Sequence, residues 1–172
     1  MVWIWLNHAT LFFNILIQRI SSTHVVSWFF ARNLYRIDEF YLKLSHGRKT
    51  LTQVLSGLPV VLLTTTGARS GLPHTTPLAC IPDPDQPNCF AVIASNLGQP
   101  HHPAWYYNLK EHPRATGVVD GQVETYIAHE AYDEEYARFW QFAIEIYPGY
   151  QLYQKRLGNR RIPIMVLMVE ET

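Results

Sequence analysis

From residue 59 to residue 169 the chain is cut into short β-branched or apolar runs separated by glycine- and proline-bearing turns, and this pattern leaves few folds open. Residues 59–66 are apolar and β-branched, which predicts a strand. Residues 67–73 hold two glycines and a proline, which predicts a turn. A second strand follows over 75–81. Residues 82–88 (P-D-P-D-Q-P-N) remove ladder donors at three prolines and read as an exposed hairpin loop. Residues 89–95 are a third strand, 96–103 a polar loop, and 104–110 a short helix entered through Pro103. Strands over 114–119 and 122–129 flank Asp120–Gly121, a two-residue hairpin signal. Asp133 reads as the N-cap of an amphipathic helix, with Glu134 and Glu135 in its first turn and Tyr136, Phe139, Trp140, Ala143, Ile144 and Tyr147 at helical spacing. Pro148–Gly149 ends it, 150–157 forms another short helix, and 162–169 is the last strand. Six strands with hairpin links predict an α+β fold: a small antiparallel barrel with short helices at its ends.

Residues 1–57 read instead as a helical extension in front of the 58–172 barrel domain. The apolar stretch 1–20 is interrupted by Asn7, His8, Asn14 and Gln18, so it falls short of a spanning helix. Two readings fit it: an interfacial helix making peripheral membrane contact through its Trp-rich end, or a helix packed on the barrel or on a partner subunit.

At 172 residues, 48% apolar and 16% charged, the chain is long and apolar enough for one well-filled core and is not a disordered tract. The formal net charge is zero, so no global field favours nucleic acid, and an anionic ligand has to be held by local groups. Cys80 and Cys89 sit in apolar runs outside any C-x-x-C pair, which reads as buried free thiols and suits a reducing cytoplasm, with a disulfide across a hairpin as the alternative.

The sequence lacks G-x-G-x-x-G, the phosphate loop, H-E-x-x-H and G-x-S-x-G. His101 and His102 are adjacent, and neighbouring side chains rarely converge on one ion, so no metal is expected. Three stretches concentrate polar and aromatic groups. Residues 64–71 bring a run of threonines into a glycine turn, where backbone N–H groups and Arg69 suit a phosphate; an ordinary hairpin with a solvated arginine fits as well. Residues 94–109 run from an apolar strand through a Gly-Pro loop into a helix start that offers free donors, with Trp105 either beside a flat ring or in the core. Tyr147, Tyr150 and Tyr153 surround a helix break, as one wall of a pocket or as a surface or subunit-contact cluster.

In this order and spacing the three stretches resemble the deazaflavin-dependent nitroreductase family, whose members use coenzyme F-420. The matching pieces are L-L-T-T-T-G-A-R-S-G at 62–71, Pro77-Leu78, A-S-N-L-G-Q-P-H-H-P-A-W-Y-Y-N-L at 94–109, the three tyrosines, and R-I-P-I at 161–164. The resemblance covers residues 58–169 and implies a split β-barrel of the flavin-mononucleotide-binding type. It implies two-electron reduction of quinones, nitro-aromatic compounds or similar conjugated acceptors. It implies a cofactor site at Thr66, Gly67, Ala68, Arg69, Ser70, His74, Pro77, Ser95, Asn96, Leu97, Gly98, Ala104 and Trp105. It places Tyr147, Tyr150 and Tyr153 on the acceptor side, in the catalytic role. Family members often have a second basic residue at the place of Ala68, a lysine at Asn96 and an arginine at His74, so flavin mononucleotide stays an alternative cofactor. A non-enzymatic flavin- or deazaflavin-binding module is the contrasting reading, and a homodimer is a candidate assembly.

Overall fold

The computed structural model describes residues 59–119 and 121–171. The helical extension over 1–57 and the two readings of 1–20 concern residues outside the described part, as do Asp120 and Thr172. Among the described residues no helix is long and apolar enough to cross a membrane.

Six strands form the body: β1 (Val60–Thr66), β2 (Pro73–Pro82), β3 (Cys89–Ile93), β4 (Arg114–Val119), β5 (Gln122–Glu130) and β6 (Ile164–Val169). They close into a barrel in the order β1-β2-β3-β6-β5-β4, with every neighbouring pair antiparallel. Three helices accompany them: α1 (Ala104–Glu111), α2 (Asp133–Ile146) and α3 (Gly149–Leu157). Strand alternation sorts the apolar side chains into two layers. Val61, Leu63, Val92, Tyr126, Met165 and Leu167 fill the barrel with Trp105 and Leu109 of α1. Ile81, Ala91, Ile93, Ile164 and Val166 point the other way, under Phe139 and Ala143 of α2 and Tyr150 and Tyr153 of α3. Gly117 makes the interior fit, since a Cβ there would lie 2.7 Å from Cε2 of Tyr126.

Antiparallel closure has a positional consequence. β1, β3 and β5 all finish at one end of the barrel. The 67–72 turn, the 94–103 loop with α1, and the 131–163 excursion with α2 and α3 therefore leave from that same end.

The sequence reading holds for all six strands, and the differences have physical reasons. β2 begins at Pro73, ahead of the expected Thr75, and ends at Pro82. Only Cys80–Pro82 pair with β3, so Pro73 and Pro77 lie where β2 has a single neighbour and a missing donor is tolerated. β3 stops at Ile93 and β6 starts at Ile164, because Ser95 turns back on Ile93 and Pro163 interrupts the ladder. Val119 pairs with Gln122, which makes the β4–β5 link the expected two-residue hairpin, with Gly121 at φ +82°.

Asp133 is not the N-cap. It is the first residue of α2 at φ +46°, Tyr132 occupies the cap position, and no side chain caps the helix. The 82–88 loop is not wholly exposed either. Asp83 is buried, and its carboxylate takes a bidentate pair of bonds from Arg138 of α2, Nη1 to Oδ1 at 2.9 Å and Nη2 to Oδ2 at 2.8 Å. Cys80 and Cys89 are buried, are not joined in a disulfide, and lie on opposite faces of the sheet. Burial, with Asp83 nearby, pushes the Cys89 thiol up to about 11.

Candidate cofactor and acceptor site

The turn after β1 is closed by its own backbone: Gly67 N–H donates to Leu72 O and Gly71 N–H to Gly67 O, both at 2.8 Å. Gly71 stands at φ +67°, where a side chain is disfavoured. Gly67 is required for a different reason, since a Cβ would lie 2.3 Å from Ser70 Oγ and 2.9 Å from His74 Nε2. Ser70 and His74 are themselves in contact, Oγ to Nε2 at 3.3 Å. Arg69 is exposed, and the N–H groups of Arg69 and Ser70 have no acceptor among the described residues. Ala68 differs from its expected role, because its N–H is already bonded to Asn108 Oδ1 at 3.0 Å.

Asn108 lies on α1, within the second stretch. Its Nδ2 donates to Thr65 Oγ1 at 3.0 Å, so one buried amide joins β1, the turn and α1. Trp105, one helical turn earlier, is buried in the barrel core and supports the site from beneath, while Ala104 is exposed at the helix start. Replacing Asn108 by alanine leaves Ala68 N–H without its acceptor and takes from Thr65 Oγ1 the bond it accepts, leaving only its bond to His74 O. The expected result is a loss of about 2 kcal/mol in chemical denaturation, together with weaker cofactor binding.

The loop from Ser95 is wound the unusual way. Asn96, Leu97 and Gly98 follow one another at φ +47°, +54° and +76°. Two successive non-glycine residues in the left-handed region cost on the order of 1 kcal/mol or more each, so surrounding contacts have to hold them. Asn96 Nδ2 donates to His101 O at 3.0 Å across the loop. Arg156 Nη1 reaches Leu97 O at 3.4 Å, and Arg160 Nη2 donates to Gln99 O at 2.9 Å. Gly98 is buried against α3, where a Cβ would lie 3.1 Å from both Tyr153 Cδ1 and Arg156 Nη1. The N–H groups of Asn96 and Leu97 take no backbone acceptor among the described residues.

Tyr153 thus connects the loop to the tyrosines. Tyr147, Tyr150 and Tyr153 contact one another with ring centroids 5.1–6.2 Å apart, and the hydroxyls of Tyr147 and Tyr153 are hydrogen-bonded at 3.0 Å. All three are buried, so they form part of the α2–α3 core and not an exposed cluster. Burial, followed by Tyr147, raises the Tyr150 hydroxyl far above the ordinary tyrosine range, which keeps it protonated. Pro77 lies apart from these contacts, half-buried on β2 opposite Leu62.

The family model for "F420H(2)-dependent quinone reductase" matches residues 34–169. The chain belongs to that family. The F420H(2)-dependent quinone reductase match reaches back beyond residue 58, into the expected helical extension. An F420H(2)-dependent quinone reductase of Mycobacterium tuberculosis is 36% identical over 118 residues, covering 63% of this chain and 72% of that protein. A solved F420-H2 dependent reductase is 37% identical at TM-score 0.57, covering 65% of this chain and 94% of its own. A second solved chain, titled a domain-swapped dimer, is 34% identical at TM-score 0.59, covering 77% and 92%. The barrel is of the split type, the protein is an oxidoreductase, and its cofactor is the deazaflavin.

The residues present fit that group. A flat deazaflavin with an anionic tail needs in-plane hydrogen-bond donors and a local cation, and the amides of Asn96 and Leu97, which take no backbone acceptor among the described residues, and the exposed Arg69 are groups of that kind. Asn108, Arg156 and Arg160 were not singled out from the sequence. Asn108 stands inside the A-S-N-L-G-Q-P-H-H-P-A-W-Y-Y-N-L motif, whereas Arg156 in the last turn of α3 and Arg160 just before R-I-P-I carry no signal in type or spacing.

Proposed function

We propose that the 66–71 turn and the 95–98 loop hold reduced coenzyme F-420, and that Tyr147, backed by Tyr153, receives a quinone. Nitro-aromatic compounds and similar conjugated electrophiles are further acceptors in this reading. The observation that carries it is the Tyr147–Tyr153 hydroxyl pair, with the ring edge of Tyr153 packed against the loop residue Gly98. Arg69 takes the cofactor's charged tail, with Ser70 and His74 beside it, while the Asn96 and Leu97 amides meet the polar edge of the ring. When bound, the reduced deazaflavin supplies a hydride equivalent.

The acceptor's oxygen also needs a proton. Tyr147 Oη donates a hydrogen bond to that oxygen, and Tyr153 Oη donates to Tyr147 and fixes its orientation. Tyr150, whose hydroxyl stays protonated, contributes its ring. The surrounding core keeps water from the reacting face.

The test is a tyrosine-to-phenylalanine series assayed with menadione. Tyr147→Phe is expected to lower kcat about tenfold or more, and Tyr153→Phe less, with cofactor affinity unchanged in both. Unchanged turnover in both variants overturns the assigned roles. We further propose a cytoplasmic protein that forms a homodimer and approaches lipid-dissolved quinones through peripheral contact of residues 1–20.

A further inference from the structure

We propose that Arg160 and neutral His102 form a positioning pair that holds the 97–102 loop in its cofactor-accepting shape, and that a proton on His102 undoes it. The inference rests on the deazaflavin reading of this loop. The loop backbone is locally disfavoured at Asn96 and Leu97, so outside groups must fix it. Arg160 grips it at two points. Nη2 donates to Gln99 O at 2.9 Å, and Nη1 contacts His102 Nδ1. A guanidinium has only donors, so Nδ1 must be the acceptor, which requires an imidazole carrying its proton on Nε2. Buried Nε of Arg160 has no partner among the described residues, so the two grips are what hold the guanidinium in place.

The groups around His102 come from every neighbouring element. The rings of Tyr106 and Tyr107 on α1 stand 4.9 and 6.0 Å away. Glu130 at the end of β5 exerts an opposite pull, but its Oε2 is already bonded to Tyr106 Oη at 3.1 Å and Lys110 Nζ at 2.9 Å. Burial, and then the charge of Arg160, holds the imidazole below its ordinary value of 6.5, with Glu130 working against them. The sign follows. The pair is intact above that ordinary value and is lost as pH falls through the lowered one. A second proton on the ring removes the acceptor and sets two cations side by side.

The experiment has two readouts on the full chain. Binding of oxidised coenzyme F-420 is followed by fluorescence between about pH 7.5 and about pH 5. Amide hydrogen exchange of residues 97–102 is followed without cofactor over the same range, corrected for the intrinsic effect of pH. Wild type is expected to lose about tenfold in affinity toward the acid end and to show faster corrected loop exchange there. His102→Asn supplies a non-titrating acceptor at the Nδ1 position and is expected to be flat in both. Arg160→Gln is expected to bind weakly at all pH values, with kcat for bound cofactor little changed and partial rescue in Arg160→Lys. The same pH dependence in wild type and His102→Asn overturns the proposal, as does wild-type affinity in Arg160→Gln. If wild type does not bind the cofactor at about pH 7.5, the deazaflavin reading fails while loop exchange still decides the pair.

Discussion

Arg138→Ala is expected to destabilise the protein by about 3 kcal/mol, because it takes the counter-charge from the buried Asp83 carboxylate. The Asp83 side chain is 0% exposed, whereas Arg138 is 34% exposed. The two partners are therefore unequal: a freed arginine can reach water and a freed aspartate cannot. Burial drives the Asp83 carboxyl up, but the hydrogen bond and charge of Arg138 and the N–H groups of Asp85 and Gln86 outweigh it and leave the net value low. In wild type this contribution is present above the ordinary carboxylate value of 3.8 and is lost as pH falls through the lowered one. Without Arg138, burial is opposed only by the N–H groups of Asp85 and Gln86, so the carboxyl is expected to rise from its wild-type value. The deficit of the variant should accordingly shrink between about pH 7 and about pH 5, as read by urea denaturation. An equal deficit at both pH values would mean that the buried charge is not its source.

Gly149→Ala is the second large effect, and it should separate acceptor chemistry from cofactor binding. A Cβ at this position would lie 2.3 Å from Cζ, 2.4 Å from Cε1 and 2.6 Å from Oη of Tyr147. Helix propensity alone favours alanine over glycine by about 1 kcal/mol, so any loss comes from the clash. The ring cannot shift freely, since Tyr150 packs against it and Tyr153 holds its hydroxyl. The expected outcome is a net loss of about 1–2 kcal/mol in thermal unfolding, with the Tyr147 ring displaced. Quinone turnover should fall about tenfold or more, because the proton donor no longer faces the acceptor, while coenzyme F-420 affinity stays near wild type. Equal loss of affinity and turnover would instead point to general disorder of the α2–α3 junction.

Much of the barrel was legible because turn chemistry and strand period agree along the chain. Val60–Thr66 alternates buried and half-buried positions, and Gly67, Gly71 and Gly121 stand where the turns need them. Asp133 was misread because a carboxylate ahead of an apolar periodic run signals a cap, whereas here the backbone itself turns left-handed at that residue. Asp83 was misread because three prolines speak only of the backbone and say nothing of a cation fifty-five residues away on α2. Asn108, Arg156 and Arg160 share that limitation. Each acts through bonds between segments distant in sequence, and no local pattern of residue types records such a pairing. The left-handed winding at Asn96 and Leu97 was equally silent, since leucine ordinarily avoids that region.

The three connections that leave β1, β3 and β5 from one end of the barrel also divide the labour of the enzyme. In the proposed function the first contributes the cation, the second the donors for the ring, and the third the hydroxyls for the acceptor. None of them carries a strand of the ladder. Apart from Tyr153, Arg156 and Arg160, which touch the 97–102 loop, the third can therefore change in composition to admit a different electrophile while the cofactor grip and the barrel register remain as they are. Innovation in what this scaffold reduces is thereby uncoupled from inheritance of what it reduces with.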